Sequence, residues 1–92
     1  MRYVWDPAKA AANLGKHGVG FAAVHGFDWQ TAVTEADRRR DYGEPRFRSA
    51  GMIGRELFIL VHTPRGEAVR VISLRRANRR EIMRYAATDQ AG

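Results

Sequence analysis

The pattern of hydrophobic and polar positions predicts helices toward both ends of the chain and strands between them. Near the start, Asp6 can cap a helix, and Pro7 fits its first turn. An alanine-rich stretch then extends to His17, and Gly18 stands where a left-handed helix terminator is expected. We therefore predict a strand-like run over 2–5 and a first helix from Pro7 to His17.

The first helix is predicted to be amphipathic, and a weaker helical segment from Phe21 to Phe27 follows it. At about 100° per residue, the first helix has one polar sector and an apolar side. The polar sector comprises Lys9, Asn13, Lys16 and His17, and the apolar side comprises Ala10, Ala11 and Leu14. We expect the apolar side to face the core.

Three consecutive segments have strand character and are separated by short turns. They run from Arg46 to Ile53, from Glu56 to Thr63 and from Glu67 to Leu74. Such short connections predict an antiparallel meander. Residues 57–61 are apolar on both faces, so we expect the middle segment to be a central strand with other parts of the chain packed on each side.

The remaining segments complete a single predicted α+β domain over residues 1–92. Residues 34–45 are rich in charged and turn-forming residues and predict an exposed connection. Asn78 and Glu81 form a capping-box pattern at the start of a final helix. We expect the chain to fray past Thr88. The predicted architecture is therefore N-terminal helices and a C-terminal helix packed on a small antiparallel sheet.

Composition narrows the classes of function. The chain has 92 residues and no cysteine, which excludes disulfides, thiolate metal sites and cysteine nucleophiles. Its three histidines lack a regular ligand spacing, so we expect no metal site and no cofactor. No apolar run approaches the length of a membrane span, and we expect a cytoplasmic protein that does not bind membranes.

The positive charge is carried almost entirely by arginine. The formal net charge is +6, and only Lys9 and Lys16 are lysines. Because a guanidinium can donate two hydrogen bonds to one phosphate or carboxylate, this balance suits RNA, DNA or an acidic protein partner. A solvated surface rich in arginine is the equally simple alternative.

Several strings of residues together resemble the BrnT toxins of bacterial toxin–antitoxin pairs. The resemblance begins with Trp5-Asp6-Pro7-Ala8-Lys9 and the segment from Asn13 to Val19, and it continues through 41–47, 61–63, 70–77 and 80–85. It implies a RelE-like fold and a toxin that cleaves RNA. It also implies a BrnA-type antitoxin, a ribbon-helix-helix protein that inactivates the toxin. Operator DNA would then be bound only through this antitoxin.

RNA cleavage without a metal needs a base, an acid and cations that stabilise the phosphorane. His17 and His62 are candidate proton carriers, and Lys16 is another if its pKa is lowered. Each has a structural alternative. Residues at the end of the first helix can bind last-turn carbonyls, and His62 alternates with apolar residues and can be a hydrogen-bonded core imidazole.

Arginines near the last strand are the candidate cations. By simple alternation Arg70 shares a face with Ile72 and Leu74, where it either pairs with a carboxylate such as Glu44 or lines a groove. Arg75 and Arg76 precede the final helix, where one phosphate could use both, or they lie in a solvated turn. The predicted catalytic set is Lys16, His17, His62, Arg70 and Arg76, and the predicted phosphate-binding set is Lys9, Arg75, Arg79 and Arg80.

Two functions remain open at this point. The first is an endoribonuclease toxin that inhibits translation and is neutralised by a protein partner. The second is a noncatalytic module that binds the antitoxin or nucleic acid, for which we expect salt-sensitive binding without cleavage. Direct DNA reading is less favoured, because the sequence has no recognisable helix-turn-helix.

Overall fold

A computed structural model describes the backbone of residues 1–91 and the side chains of residues 1–88. The elements in chain order are β1 (Arg2–Val4), α1 (Pro7–His17), a 3-10 helix (Phe21–Gly26), β2 (Phe27–Ala36), β3 (Phe47–Ile53), β4 (Glu56–Arg65), β5 (Ala68–Arg76) and α2 (Arg79–Ala91). Helix α2 continues to Ala91, past Thr88, where fraying is predicted to begin, and the side chains after Thr88 lie outside the described part. Within that part, no helix is both long and apolar enough to cross a membrane.

The five strands form one sheet in the order β1-β5-β4-β3-β2. Neighbours from β2 to β5 are antiparallel, so the predicted meander is confirmed, and β4 is its central strand as expected. However, β1 pairs with β5 in the parallel direction, so the sheet is mixed and the prediction of a purely antiparallel sheet is wrong. A parallel neighbour needs a long connection, which here is most of the chain, and local periodicity cannot reveal such a partner.

Strand β2 was not predicted. Asp28 pairs with Met52 of β3 and Val33 pairs with Ala50, so residues 29–32 of β2 have only Gly51 opposite them. This bulge breaks the alternation that identifies a strand. The predicted exposed connection over 34–45 is also partly wrong, because residues 34–36 belong to β2 and Asp37 is buried.

Helix α1 has the predicted ends but not the predicted buried side. The Asp6 side chain accepts a hydrogen bond from the Ala8 N–H at 3.0 Å, and Gly18 has a φ of 68°. Yet Asn13 is 7% exposed, whereas Leu14 is 54% exposed. The assignment of Asn13 to the outer sector and Leu14 to the core is therefore wrong.

The edge of β5 explains why Asn13 is buried. Strand β1 pairs with β5 only as far as Arg70, and beyond it Asn13 contacts the exposed strand edge. The Asn13 amide accepts a hydrogen bond from the Leu74 N–H at 3.2 Å and donates to the Leu74 carbonyl at 2.8 Å. It also donates to the Val19 carbonyl at 3.0 Å. The Asn13 side chain thus makes the hydrogen bonds to the Leu74 backbone that a neighbouring strand would otherwise make.

The two faces of the sheet are covered differently. The face that packs against α1 and the 3-10 helix, here called the core face, carries the main apolar cluster. This cluster comprises Val19, Phe21, Val24, Phe27, Phe58, Leu60, Val71 and Leu74. The opposite face, here called the α2 face, is covered by α2, where the Tyr85 hydroxyl donates to the Thr31 carbonyl at 2.6 Å. The connection between β2 and β3 also reaches this face, since Thr63 donates to the Pro45 carbonyl.

Candidate functional site

Arginines on the strands lie on the α2 face. Arg48 of β3 is directly opposite Val61 of β4, and Arg75 of β5 is directly opposite Ile59. Directly opposite residues share a face of a sheet, and Val61 and Ile59 are two positions apart on one strand. Arg48 and Arg75 therefore project from neighbouring positions on the same surface.

Arg70 lies on this face as well, because β5 contains a bulge. Val61 and His62 are consecutive on β4, but they pair with Ser73 and Val71 on β5. Ile72 is therefore the extra residue of the bulge. The bulge reverses the alternation beyond it. Arg70 consequently faces away from Leu74, and the prediction that those two share a face is wrong. The bulge brings Arg70 to the same surface as the other two strand arginines.

The guanidinium groups of Arg48 and Arg75 converge on one carboxylate. Arg75 donates to both oxygens of Glu81, each at 2.8 Å, and Arg48 donates to Glu81 Oε2. The exposed fractions of the side chains are 26% for Arg48, 29% for Arg75 and 14% for Glu81. The hydrogen bonds from Arg75, with smaller contributions from Asn78 and the two positive charges, lower the pKa of Glu81 to about 2.

The start of α2 fixes the position of this carboxylate. Glu81 Oε1 accepts a hydrogen bond from the Asn78 N–H at 2.8 Å, and Asn78 Oδ1 accepts one from the Glu81 N–H at 2.9 Å. The predicted capping box is thereby confirmed. The capping box orients the Glu81 side chain. It therefore also places the Glu81 carboxylate against the two arginines.

Further charges alternate in sign around this group. Glu35 lies 3.7 Å from Arg48 and 3.4 Å from Arg84, measured between nitrogen and oxygen atoms. A cavity of about 100 Å³ lies beside the cluster, between α2 and the sheet. It is lined by Val33, Glu35, Arg48, Ala50, Ile59, Glu81, Arg84, Tyr85 and Thr88. The arrangement is an arginine-rich surface with an adjoining partly apolar recess.

The C-terminal end of α1 brings His17 near the same surface. Burial and the positive charges of Lys16 and Arg75 lower the pKa of His17 below its ordinary value of 6.5. His17 follows Asn13 by one helical turn, and Asn13 hydrogen-bonds the backbone of Leu74, the residue before Arg75. The C-terminal end of α1 therefore lies near the edge of β5 that precedes Arg75, although α1 itself packs against the core face.

A comparison with models of protein families shows to which family the chain belongs. A family model described as the ribonuclease toxin BrnT of type II toxin–antitoxin systems matches residues 5–81 of the 92 residues. The chain belongs to the BrnT family. No curated protein matches it. The BrnT match includes Arg48 and Arg75 and ends at Glu81, so it covers all three members of the cluster.

His62 lies apart from this cluster, on the core face of the BrnT sheet. It is 8% exposed, and its Nε2 atom hydrogen-bonds Ser49 Oγ at 2.8 Å. The imidazole stacks with Phe47 and meets Trp29 edge to face. Burial lowers the pKa of His62 to about 4. These contacts favour its structural interpretation as a hydrogen-bonded core imidazole.

Arg76 also belongs to the core face. It lies opposite Phe58 in the register, and its guanidinium carbon is 5.5 Å from the centre of the Phe58 ring. Arg76 Nε donates to Glu56 at 2.9 Å. Arg75 and Arg76 thus bind different carboxylates on opposite faces, which disfavours the expectation that one phosphate uses both.

The other predicted cations are distributed over the surface. Lys9 is exposed on α1, and Arg79 and Arg80 are exposed in the first turn of α2. Glu44, named as a possible partner of Arg70, instead lies 3.3 Å from Arg46 and 3.7 Å from Arg65. Within the described part of the chain, no group of three or more histidine or acidic residues is placed to hold a metal ion.

Sequence reasoning missed part of the cluster. Arg48 was not considered, although it alternates with Phe47 and Ser49 and so had to lie on the opposite side of β3 from them. Glu81 was recognised only as a capping residue. Arg39 lies in the segment predicted to be an exposed connection, and its guanidinium donates two hydrogen bonds to buried Asp37, both at 2.8 Å. Its charge is also close enough to act on the pKa of Arg75.

Proposed function

We propose that this BrnT protein is an endoribonuclease that cleaves RNA without a metal ion, on the α2 face of a RelE-like sheet. The observation that carries the proposal is the convergence of Arg48 and Arg75 on one anionic group. Two guanidinium groups in this arrangement match the charge and geometry of a phosphate, and they would stabilise the extra negative charge of a phosphorane.

His17 is the proposed general base. Its lowered pKa keeps the imidazole neutral at pH 7, and a neutral imidazole can accept the proton of a ribose 2′-hydroxyl. The 2′-oxygen then bonds to phosphorus, and the bond to the 5′-oxygen breaks. Lys16 is the proposed donor of a proton to that leaving oxygen. The products are a 2′,3′-cyclic phosphate and a free 5′-hydroxyl.

Other cations extend the proposed contact with RNA. Arg70 lies on the same face as Arg75 and is proposed to contact a neighbouring phosphate or the phosphorane. Lys9, Arg79 and Arg80 are exposed and are proposed to bind the backbone of the RNA farther away. We do not include His62 and Arg76 in the proposed site, because His62 is buried among aromatic side chains and Arg76 pairs with Glu56 away from the cluster.

The toxin–antitoxin setting of the family supports the proposed partners. We propose that a BrnA-like ribbon-helix-helix antitoxin neutralises this toxin and that operator DNA is bound only through that antitoxin. In its absence the toxin would cut cytoplasmic RNA and inhibit translation. The arginine-rich surface supports both roles, since it suits an acidic protein segment as well as RNA.

Incubation of the purified, antitoxin-free protein with defined RNA in excess EDTA tests the proposal. We expect cleavage whose new ends carry 2′,3′-cyclic phosphate, and we expect His17→Gln to slow it by about 10²-fold or more. Added antitoxin should abolish cleavage. Intact RNA combined with salt-sensitive binding would instead support the noncatalytic module. Cleavage that stops in EDTA would contradict the metal-independent mechanism.

A further inference from the structure

Helix α2 leaves its own apolar side chains largely exposed and makes several polar contacts with the sheet. None of its described side chains is buried, and Ile82 and Met83 are 48% and 64% exposed. Its polar contacts with the strands include the Glu81 pairs with Arg48 and Arg75 and the hydrogen bond from Tyr85 to Thr31. An element with so little apolar burial has a low local free energy of opening.

The position occupied by Glu81 is also the position that best suits a phosphate. Arg48 and Arg75 both bind Glu81 Oε2, so their guanidinium groups converge on a single oxygen atom. If that carboxylate left, two partly buried cations would face each other, and Glu35, 3.7 Å from Arg48, would compensate them only in part. Another anion must then replace it, because unpaired and partly buried charges are costly.

We propose that α2 is a lid over the RNA site and that the Glu81 carboxylate keeps it closed by holding the place of an RNA phosphate. This inference rests on the proposed function and adds its regulation. In the closed state the guanidinium groups of Arg48 and Arg75 are neutralised by the chain itself. RNA binds when α2 lifts and a phosphate displaces Glu81, so the closed population reduces the apparent affinity for RNA.

Glu81→Gln is the informative variant, because glutamine also serves in a capping box. The amide oxygen can still accept the Asn78 N–H, so the start of α2 is preserved while the negative charge is lost. Glu56→Gln is the matched control. Glu56 also pairs with one arginine at the end of β5, at 2.9 Å, but it does so on the core face.

The experiment measures binding of a 2′-O-methyl oligoribonucleotide, which lacks the attacking hydroxyl and is therefore not cut. We expect Glu81→Gln to lower its Kd by about tenfold or more, whereas Glu56→Gln changes it less than about twofold. Amide hydrogen exchange gives the second readout. Exchange in α2 should be faster in Glu81→Gln than in the wild type, and the oligonucleotide should accelerate it in the wild type.

The outcomes separate this inference from the proposed function. Equal or weaker binding by Glu81→Gln, or α2 exchange that the oligonucleotide slows in the wild type, would overturn the lid even if the wild type cleaves RNA. If the wild type cleaves no RNA but both readouts behave as expected, the lid stands as a device that controls RNA binding, and the catalytic proposal fails.

Discussion

The two faces of the sheet use buried polar groups in opposite ways. On the core face, Asn13 completes the edge of β5 and His62 bonds Ser49, so each polar group is satisfied by neutral partners among apolar side chains. On the α2 face, Arg48 and Arg75 are paired with charged groups: both pair with Glu81, and Arg48 also lies 3.7 Å from Glu35. The buried polar groups of the core face thus have neutral partners, and the arginines of the α2 face are paired with carboxylates that another anion can replace.

The two faces should therefore contribute differently to the stability of the fold. Buried apolar surface contributes about 25 cal/mol per Å², whereas partly exposed ion pairs typically contribute about 1 kcal/mol or less. The core face should therefore carry most of the free energy of folding. The ion pairs of the α2 face should contribute little to the free energy of folding.

The largest expected effect on stability is a cavity in the core face. Leu60 is fully buried, so Leu60→Ala should lower the free energy of unfolding by about 2–5 kcal/mol. Val33 lines the recess under α2 and is 40% exposed, so Val33→Ala should cost less than about 1 kcal/mol. Chemical denaturation of both variants measures the contrast. Equal losses would show that the two faces contribute alike.

Removing the amide at the edge of β5 should have the next largest effect. Asn13→Ala leaves the Leu74 N–H and carbonyl without their side-chain partner, and we expect a loss of about 2–3 kcal/mol. The matched control is Leu14→Ala, which should change stability by less than about 0.5 kcal/mol because Leu14 is exposed. A larger loss in Leu14→Ala than in Asn13→Ala would instead support the orientation of α1 expected from periodicity, with Leu14 facing the core.

The pH dependence of folding should show a smaller effect from His62. Its folded pKa of about 4 is below the ordinary 6.5, so its contribution is complete above pH 6.5 and is lost as the pH falls toward 4. Glu81 and Asp37, each with a pKa of about 2, lose their contributions only at lower pH, below about 4.

We expect His62→Gln to reduce the fall in stability between pH 6.5 and pH 4.5, because glutamine is neutral throughout and can still hydrogen-bond Ser49. Unfolding curves at both pH values measure this difference. His17→Gln is a control for the other histidine with a lowered pKa, and its effect should be smaller because it is less buried. An unchanged pH dependence in His62→Gln would contradict the assigned cause.

Local signals predicted the parts of the fold that depend on neighbouring residues. Asp6, Gly18 and the pair Asn78–Glu81 fixed the helix ends correctly, and the short turns predicted the meander. Long-range contacts decided the rest. The burial of Asn13 depends on an unpaired edge far along the chain, and the parallel pairing of β1 depends on the completed sheet.

The candidate site was predicted only in part for the same reason. Arg75 and His17 were named from their types and positions, but the bulge at Ile72 decides which face Arg70 shares. Bulges are not visible as a break in hydrophobicity when the extra residue is itself apolar. Arg48 becomes a candidate only when β3 is placed beside β4 and Glu81 is placed between the arginines.

The most direct test of the central claim compares two adjacent arginines on opposite faces. Arg75→Ala and Arg76→Ala are each assayed for cleavage of the same RNA in EDTA, with thermal unfolding as the check that both variants fold. We predict that Arg75→Ala slows cleavage by about 10²-fold or more, while Arg76→Ala stays within a few fold of the wild type. Loss of cleavage in Arg76→Ala with full activity in Arg75→Ala would place the site on the core face and contradict the account.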